Sequence, residues 1–188
     1  MPEEIWAALA MLLPTMTVAR FILFQYAKPE TILVGLGCIL HCPFSFTLHM
    51  HRALVDDLPM RTTIYKFDAS FIHIQALLTG IAWFMKVSWF EAIFHTACIV
   101  HIIKSQPLAF PKQKNTIDIL CALGVIKSSF GCIYRSQTLW GWAHIFWGIG
   151  FAIHNRKLLG AHSAAVFHVL LVIPQYCIIC ACQHHALS

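Results

Sequence analysis

Ser45 and His49 stand four residues apart in Ser45-Phe46-Thr47-Leu48-His49, a spacing that puts a hydroxyl and an imidazole on one face of a helix. Farther along, Lys66-Phe67-Asp68 opens one apolar stretch and Ala161-His162-Ser163-Ala164-Ala165-Val166-Phe167-His168 opens another. Gathered in one place, these groups are what a metal-bound water needs: imidazole ligands for the ion, a carboxylate for the proton and a hydroxyl for a developing oxyanion. Each piece alone is ordinary. With 12 histidines in 188 residues, a Ser-x-x-x-His arises by chance, and a buried polar pair is its usual meaning. What matters is whether the elements that carry these residues bring them together.

Composition says what those elements are. The chain is 59% hydrophobic and 11% charged, with a mean hydropathy of +0.69, whereas soluble domains carry about 25% charged residues. The sequence therefore reads as an all-α, polytopic transmembrane helix bundle, a single transmembrane domain over 1–188 with no separate catalytic module. A membrane-crossing helix needs about 20 mainly apolar residues. Seven stretches meet or approach that standard, at roughly 5–25, 31–52, 67–85, 88–104, 115–134, 137–154 and 161–182. The fourth is short and carries Glu91, His95 and His101, so six spans is the alternative count. The net charge of +5 comes from 13 Lys and Arg against 8 Asp and Glu, spread between the segments and not gathered in a run, which excludes nucleic acid as the expected partner. Met1-Pro2-Glu3-Glu4 is acidic where a cleavable signal is basic, and no such signal is expected.

Basic residues favour the side from which insertion proceeds. Arg52, Arg61, Lys66, Lys104, Lys112, Lys114, Arg156 and Lys157 fall in even-numbered connections, against Arg20, Lys28, Lys86, Lys127 and Arg135 on or toward the other side. The bias puts the N-terminus inside, in an endomembrane or an organellar inner membrane, and the C-terminus outside. It also places the end of the second segment and the starts of the third and seventh at one membrane face, where Ser45, His49, Asp68 and His168 can converge.

These residues resemble a known group. The Ser45/His49 pair, Asp68 and the His162-Ser163-(x)3-Phe167-His168-Val169-Leu170 stretch are similar to motifs of the progestin and adipoQ receptor family and hemolysin III-like proteins. Leu48-His49-Met50 with Val55-Asp56-Asp57-Leu58-Pro59-Met60 resembles the alkaline ceramidases. Both belong to the CREST superfamily of seven-helix membrane proteins. The resemblance covers the second, third and seventh segments, and it implies a zinc-dependent hydrolase of lipid amides. In that superfamily three histidines hold zinc. His49 and His168 match two ligand positions, and Ser45 and Asp68 match the catalytic pair beside the metal-bound water. The third ligand position, four residues before His168, is Ala164. His162 lies six residues before His168, about 120° round a helix, and has its own counterpart in the superfamily. The ceramidase-like alternative to Asp68 is Asp56 or Asp57. It would give a third helix of about thirty residues that buries Arg61 and Lys66, which is costly in lipid.

The missing ligand leaves a second function class open, a non-catalytic accessory subunit that packs membrane lipids and partner helices within a larger membrane complex. Other constellations favour structural readings. His73, His95, His101 and His144 lie in apolar helices without haem spacing within a segment, so packing or hydrogen bonding is expected of them and not haem ligation. Glu91 and His95, four apart, are expected to pair with each other. Cys177-Ile178-Ile179-Cys180-Ala181-Cys182-Gln183-His184-His185 ends an apolar helix, where small apolar thiols are favoured over a metal tract. Trp140, Trp142 and Trp147 crowd the sixth segment, and glycines such as Gly35, Gly37, Gly141, Gly148 and Gly150 permit close helix approach.

Overall fold

A computed structural model describes residues 2–25, 27–128 and 137–185 of the chain. Its described residues are all-α, in seven helical segments: α1 (Pro2–Phe24), α2 (Pro29–Leu54), α3 (Leu58–Phe84), α4 (Trp89–Lys104), α5 (Pro111–Ser128), α6 (Gln137–Asn155), and a seventh built from a Gly160–His162 turn, α7 (Ser163–Leu170) and α8 (Val172–His185). The break at Leu171 has a local cause. Pro174 has no N–H to give the Leu170 carbonyl four residues back, so the helix loses a rung there. Pro14 and Pro43 stand inside α1 and α2 for the same reason of sequence.

Among the described residues, four stretches are long and apolar enough to cross a membrane: Pro2–Phe24, Pro29–Leu54, Leu58–Phe84 and Gly160–Gln183. The other three fall short of that standard. α4 has 16 residues, and α5 has 18 that include Lys112, Lys114, Asp118 and Lys127. Residues 129–136, which hold Arg135 and the expected end of the fifth segment, lie outside the described residues, as do the side chains of Trp140, His184 and His185.

The third helix differs from expectation. It starts at Leu58, nine residues before the predicted 67, because Asp57 accepts a hydrogen bond from the Met60 N–H at 3.1 Å and caps it. Pro59 sits in that first turn, where its missing N–H costs nothing. The feared burial of Arg61 and Lys66 does not arise. Arg61 turns back to the Val55 carbonyl at 3.0 Å and to Asp56 at 3.3 Å, and Lys66 donates to the Ile103 carbonyl at 2.8 Å, both at the end of the bundle. Asp56 and Asp57 thus serve the α2–α3 connection, and Asp68 lies almost three turns inside α3.

Beside its apolar core the bundle buries many polar side chains and exposes many large apolar ones. His41, Ser45, His49, Ser70, His73, Thr79, Glu91, His95, His168 and Gln175 are buried, while Trp6, Leu9, Leu13 and Met16 of α1, Ile32, Leu36 and Leu40 of α2, and Trp89, Phe90 and Ile93 of α4 are exposed. Such a surface suits hydrocarbon and not water. Two glycines let the helices close up. A Cβ at Gly37 would lie 2.9 Å from the Cα of Gln75, and one at Gly35 2.3 Å from the end of the Ile22 side chain. Because the Gln75 backbone cannot yield as a side-chain tip can, Gly37→Ala should push α2 off α3 and cost ~1–3 kcal/mol. Thermal unfolding of the detergent-solubilised protein reads this as a lower midpoint, against an unchanged midpoint for Gly141→Ala, where nothing lies within 4 Å.

Candidate functional site

α2 presents His41, Ser45 and His49 at successive four-residue intervals, a single polar stripe on its buried face. α3 lays Asp68 beside the first of them, and His41 donates from Nε2 to Asp68 Oδ1 at 2.8 Å. The His49 ring stands edge-on to His168 of α7, with centroids 4.9 Å apart and planes at 81°. Glu4, in the first turn of α1, accepts from His49 Nδ1 at 2.6 Å. The Ala7 carbonyl, one turn on, accepts from His168 Nδ1 at 3.1 Å. Four helices therefore meet at one end of the bundle through imidazoles and oxygen acceptors.

These bonds fix the tautomers. Carboxylate and carbonyl oxygens accept, so Nδ1 of His49 and of His168 each carries a hydrogen, and in a neutral ring this leaves the lone pair on Nε2. Anchoring one ring nitrogen on an acceptor is also how metal-ligating histidines are oriented. All four residues expected from the sequence, Ser45, His49, Asp68 and His168, line one cavity of about 250 Å³. The structure pairs Asp68 with His41 and not directly with His49. His162 is exposed in the Gly160–His162 turn, away from the cavity lining.

Two members of the cluster were missed in the sequence. His41 was within reach, since it stands four residues before Ser45 on the stripe that Ser45 and His49 define. Glu4 had no usable signal, because nothing in the first helix says which helix its acidic turn will meet. The cavity that holds the cluster runs along α2 from Arg52 to Cys38 and along α3 from Tyr65 to Thr79, roughly 20 Å of helix each. Most of its wall is apolar, with Met11, Leu48, Ile72, Val125, Phe151 and Ile178 among the lining residues. At its charged end Tyr65 donates to Asp118 and Lys114 pairs with the same carboxylate, both at 2.6 Å.

The ring of helices around the cavity is not equally tight. α5 packs on α3 and α4, and α6 packs on α7 and α8, while among the described residues α5 and α6 are not a closely packed pair. Ala122 and Val125 of α5 and Trp147 and Phe151 of α6 line the cavity on the two sides of that seam.

The expected Glu91–His95 pair does not form. Glu91 faces Lys127 of α5 at 3.7 Å, and His95 faces His73 of α3, Nδ1 to Nδ1, at 3.1 Å. The reason is helix geometry: each α4 residue points at the layer of α3 and α5 beside it, and the partners across the interface are nearer than the next turn.

Glu4→Ala leaves the His49 Nδ1 hydrogen buried without an acceptor and should destabilise the protein by about 1–3 kcal/mol. Glu4→Gln, which keeps an oxygen in place, should recover most of that loss, and equal unfolding midpoints for the Ala variant and the parent would discard the bond as a structural tie. In comparisons with known proteins, no family model, no curated protein and no solved structure matches this chain.

Proposed function

We propose that this chain is an integral membrane protein whose helix bundle holds a membrane lipid in its central cavity, on a scaffold resembling that of the zinc-dependent lipid-amide hydrolases of the CREST superfamily. One observation carries the reading: a cavity with mostly apolar walls has His41, Ser45, His49, Asp68 and His168 in its lining, with Glu4 bonded to His49, inside helices many of whose outward side chains are apolar. An acyl chain matches the apolar walls and a polar headgroup matches the histidine stripe. The loosely closed α5–α6 seam gives such a lipid a sideways path from the bilayer. The excess of Lys and Arg in even-numbered connections puts the polar end on the inner side.

The superfamily's metal chemistry requires a donor set that this chain supplies in part. His49 and His168 match two of the ligand positions, and each anchors its Nδ1 on an acceptor. The third position is Ala164, one turn before His168 on α7, and among the described residues no three His, Cys, Asp or Glu side chains are grouped so as to hold a metal ion. Catalytic zinc takes three protein ligands and a water. The set is one short, and the lipid-binding, non-catalytic form is favoured for that reason. In that form the protein serves as an accessory subunit, with its apolar faces against lipid and partner helices. A zinc hydrolase is the second reading, supported by the two anchored tautomers, and Ser45 and Asp68 would be its oxyanion donor and base.

Purification in mild detergent, with mass spectrometry of bound lipid and elemental analysis of the protein, tests both. Lipid retained at one per chain without zinc is the expected result, and loss of that lipid on widening the charge at the polar end, for example Ser45→Asp, should follow. Stoichiometric zinc that disappears in His49→Ala would overturn the non-catalytic reading in favour of the hydrolase. Absence of both lipid and metal would discard the cavity as a binding site. Ala164→His restores the third imidazole and is expected to bind zinc where the parent does not.

A further inference from the structure

A second polar cluster lies between α3, α4 and α5, and the central cavity does not use it. His73 and His95 are 0% and 1% exposed. Their Nδ1 atoms are 3.1 Å apart, a separation that holds a single hydrogen: one ring donates and the other accepts. The two rings are therefore opposite tautomers. The donor keeps its lone pair on Nε2, and the acceptor carries its hydrogen there. Both Nε2 atoms are buried with no hydrogen-bond partner among the described residues.

The surroundings are built around this pair. Gly124 of α5 comes so close that a Cβ there would lie 3.0 Å from Cε1 and from Nδ1 of His73, and 3.4 Å from Cε1 of His95. Phe94 presents its ring to both imidazoles, with centroids 6.4 and 5.2 Å away. One turn along α4, Glu91 faces Lys127 at 3.7 Å, and the ammonium sits 4.7 Å over Phe90 and 5.0 Å over Phe94. Gly80 of α3 makes room for that carboxylate, since a Cβ there would lie 2.8 Å from Glu91 Oε2. Three residues along α4 from His95 stands the buried thiol Cys98, while Cys121 of α5 lies 3.8 Å from the Ala69 carbonyl and on the wall of the central cavity. The charged groups beside the imidazoles are Glu91, one turn from His95 on α4, and Lys127 from α5.

We propose that His73 and His95 form a proton-binding site, two imidazoles enclosed by three helices that take up a single proton from water between them, apart from the central cavity. The proton adds to the free Nε2 lone pair of the donating ring, no bond to carbon changes, and no electrons leave. Uptake turns the Nδ1–H···Nδ1 contact into a charge-assisted hydrogen bond, which is shorter and stronger than its neutral form. Glu91 supplies the nearby negative charge. Lys127 opposes it, so the ion pair sets how readily the imidazoles fill. The Glu91 and Lys127 side chains are 11% and 24% exposed, and Glu91 Oε2 and Lys127 Nζ are themselves buried without a hydrogen-bond partner among the described residues.

Nitrogen NMR of the full chain, labelled at histidine and held in lipid nanodiscs, tests this without any variant. The expected result is a scalar coupling between the two ring nitrogens across the hydrogen bond, with both rings responding over one pH interval and one proton taken up in total. His73→Gln should abolish the coupling and change the titration of His95, and Glu91→Gln should reduce uptake at a given pH. The proposal is overturned by the absence of coupling in the parent protein, by two rings that titrate independently, or by a His95 response that His73→Gln leaves unaltered. Should His73→Gln fail to fold, the parent spectrum alone decides.

Discussion

Hydrocarbon offers no hydrogen bonds, and a polar group buried in it must find its partner within the protein. That constraint orders most of what the chain does. His49 and His168 stand on different helices and each takes an acceptor from α1, one from the Glu4 side chain and one from the Ala7 backbone. α1 has an apolar, nearly featureless sequence, yet it is held to α2 and α7 by these two bonds at its first turns. At the opposite end Lys28, between α1 and α2, donates to the Gln183 carbonyl of α8. The helices are thus tied by polar contacts at both ends, with apolar packing of Val18, Val34, Cys38, Trp83 and Ile179 between.

The same constraint explains which parts of the architecture could be read from the sequence. Helices in lipid need long apolar runs, so the seven segments were visible in composition, with described edges within about four residues apart from the start of α3, and with the expected end of the fifth segment outside the described residues. α3 starts earlier than expected because Arg61 and Lys66 are not buried charges. In the folded chain both are long enough to reach backbone carbonyls at the bundle end, a snorkelling that sequence position alone does not reveal. The convergence of Ser45, His49, Asp68 and His168 on one cavity was legible because alternating helix direction puts the end of α2 and the start of α7 at one face. Which of those groups bond each other was not. Asp68 chose His41 and His49 chose Glu4, and such choices depend on helix rotation and on a first helix with no pattern to follow.

Ala164 stands one turn before His168 on α7, and His49 and His168 each hold Nδ1 on a fixed acceptor. The arrangement needs no ion to explain it: an imidazole N–H in a low-dielectric interior requires an acceptor in any case. Orientation of the remaining rings is therefore compatible with both a ligand role and a plain hydrogen-bonding one, and the donor count is the feature that separates them.

α3 connects the two polar clusters. Asp68, Ile72, Gln75 and Thr79 follow one stripe along the central cavity, and His73 and Gly80 follow the adjacent stripe toward α4 and α5. A helix that serves two buried polar sites on neighbouring stripes cannot rotate to improve one without breaking the other. Turning α3 by one residue, about 100°, would take Asp68 away from His41 and leave His95 without His73. α5 is bound in the same way, since Asp118 meets Tyr65 at the cavity while Gly124 and Lys127 meet the histidine pair and Glu91. The glycines at 80 and 124 are what allow both stripes to be satisfied at once: they remove the Cβ atoms that would hold α4 and α5 away from α3 at the layers where the second cluster forms. Registry between α3 and α5 is accordingly set by polar contacts and close approach, in a bundle whose apolar surfaces would slide past one another at little cost.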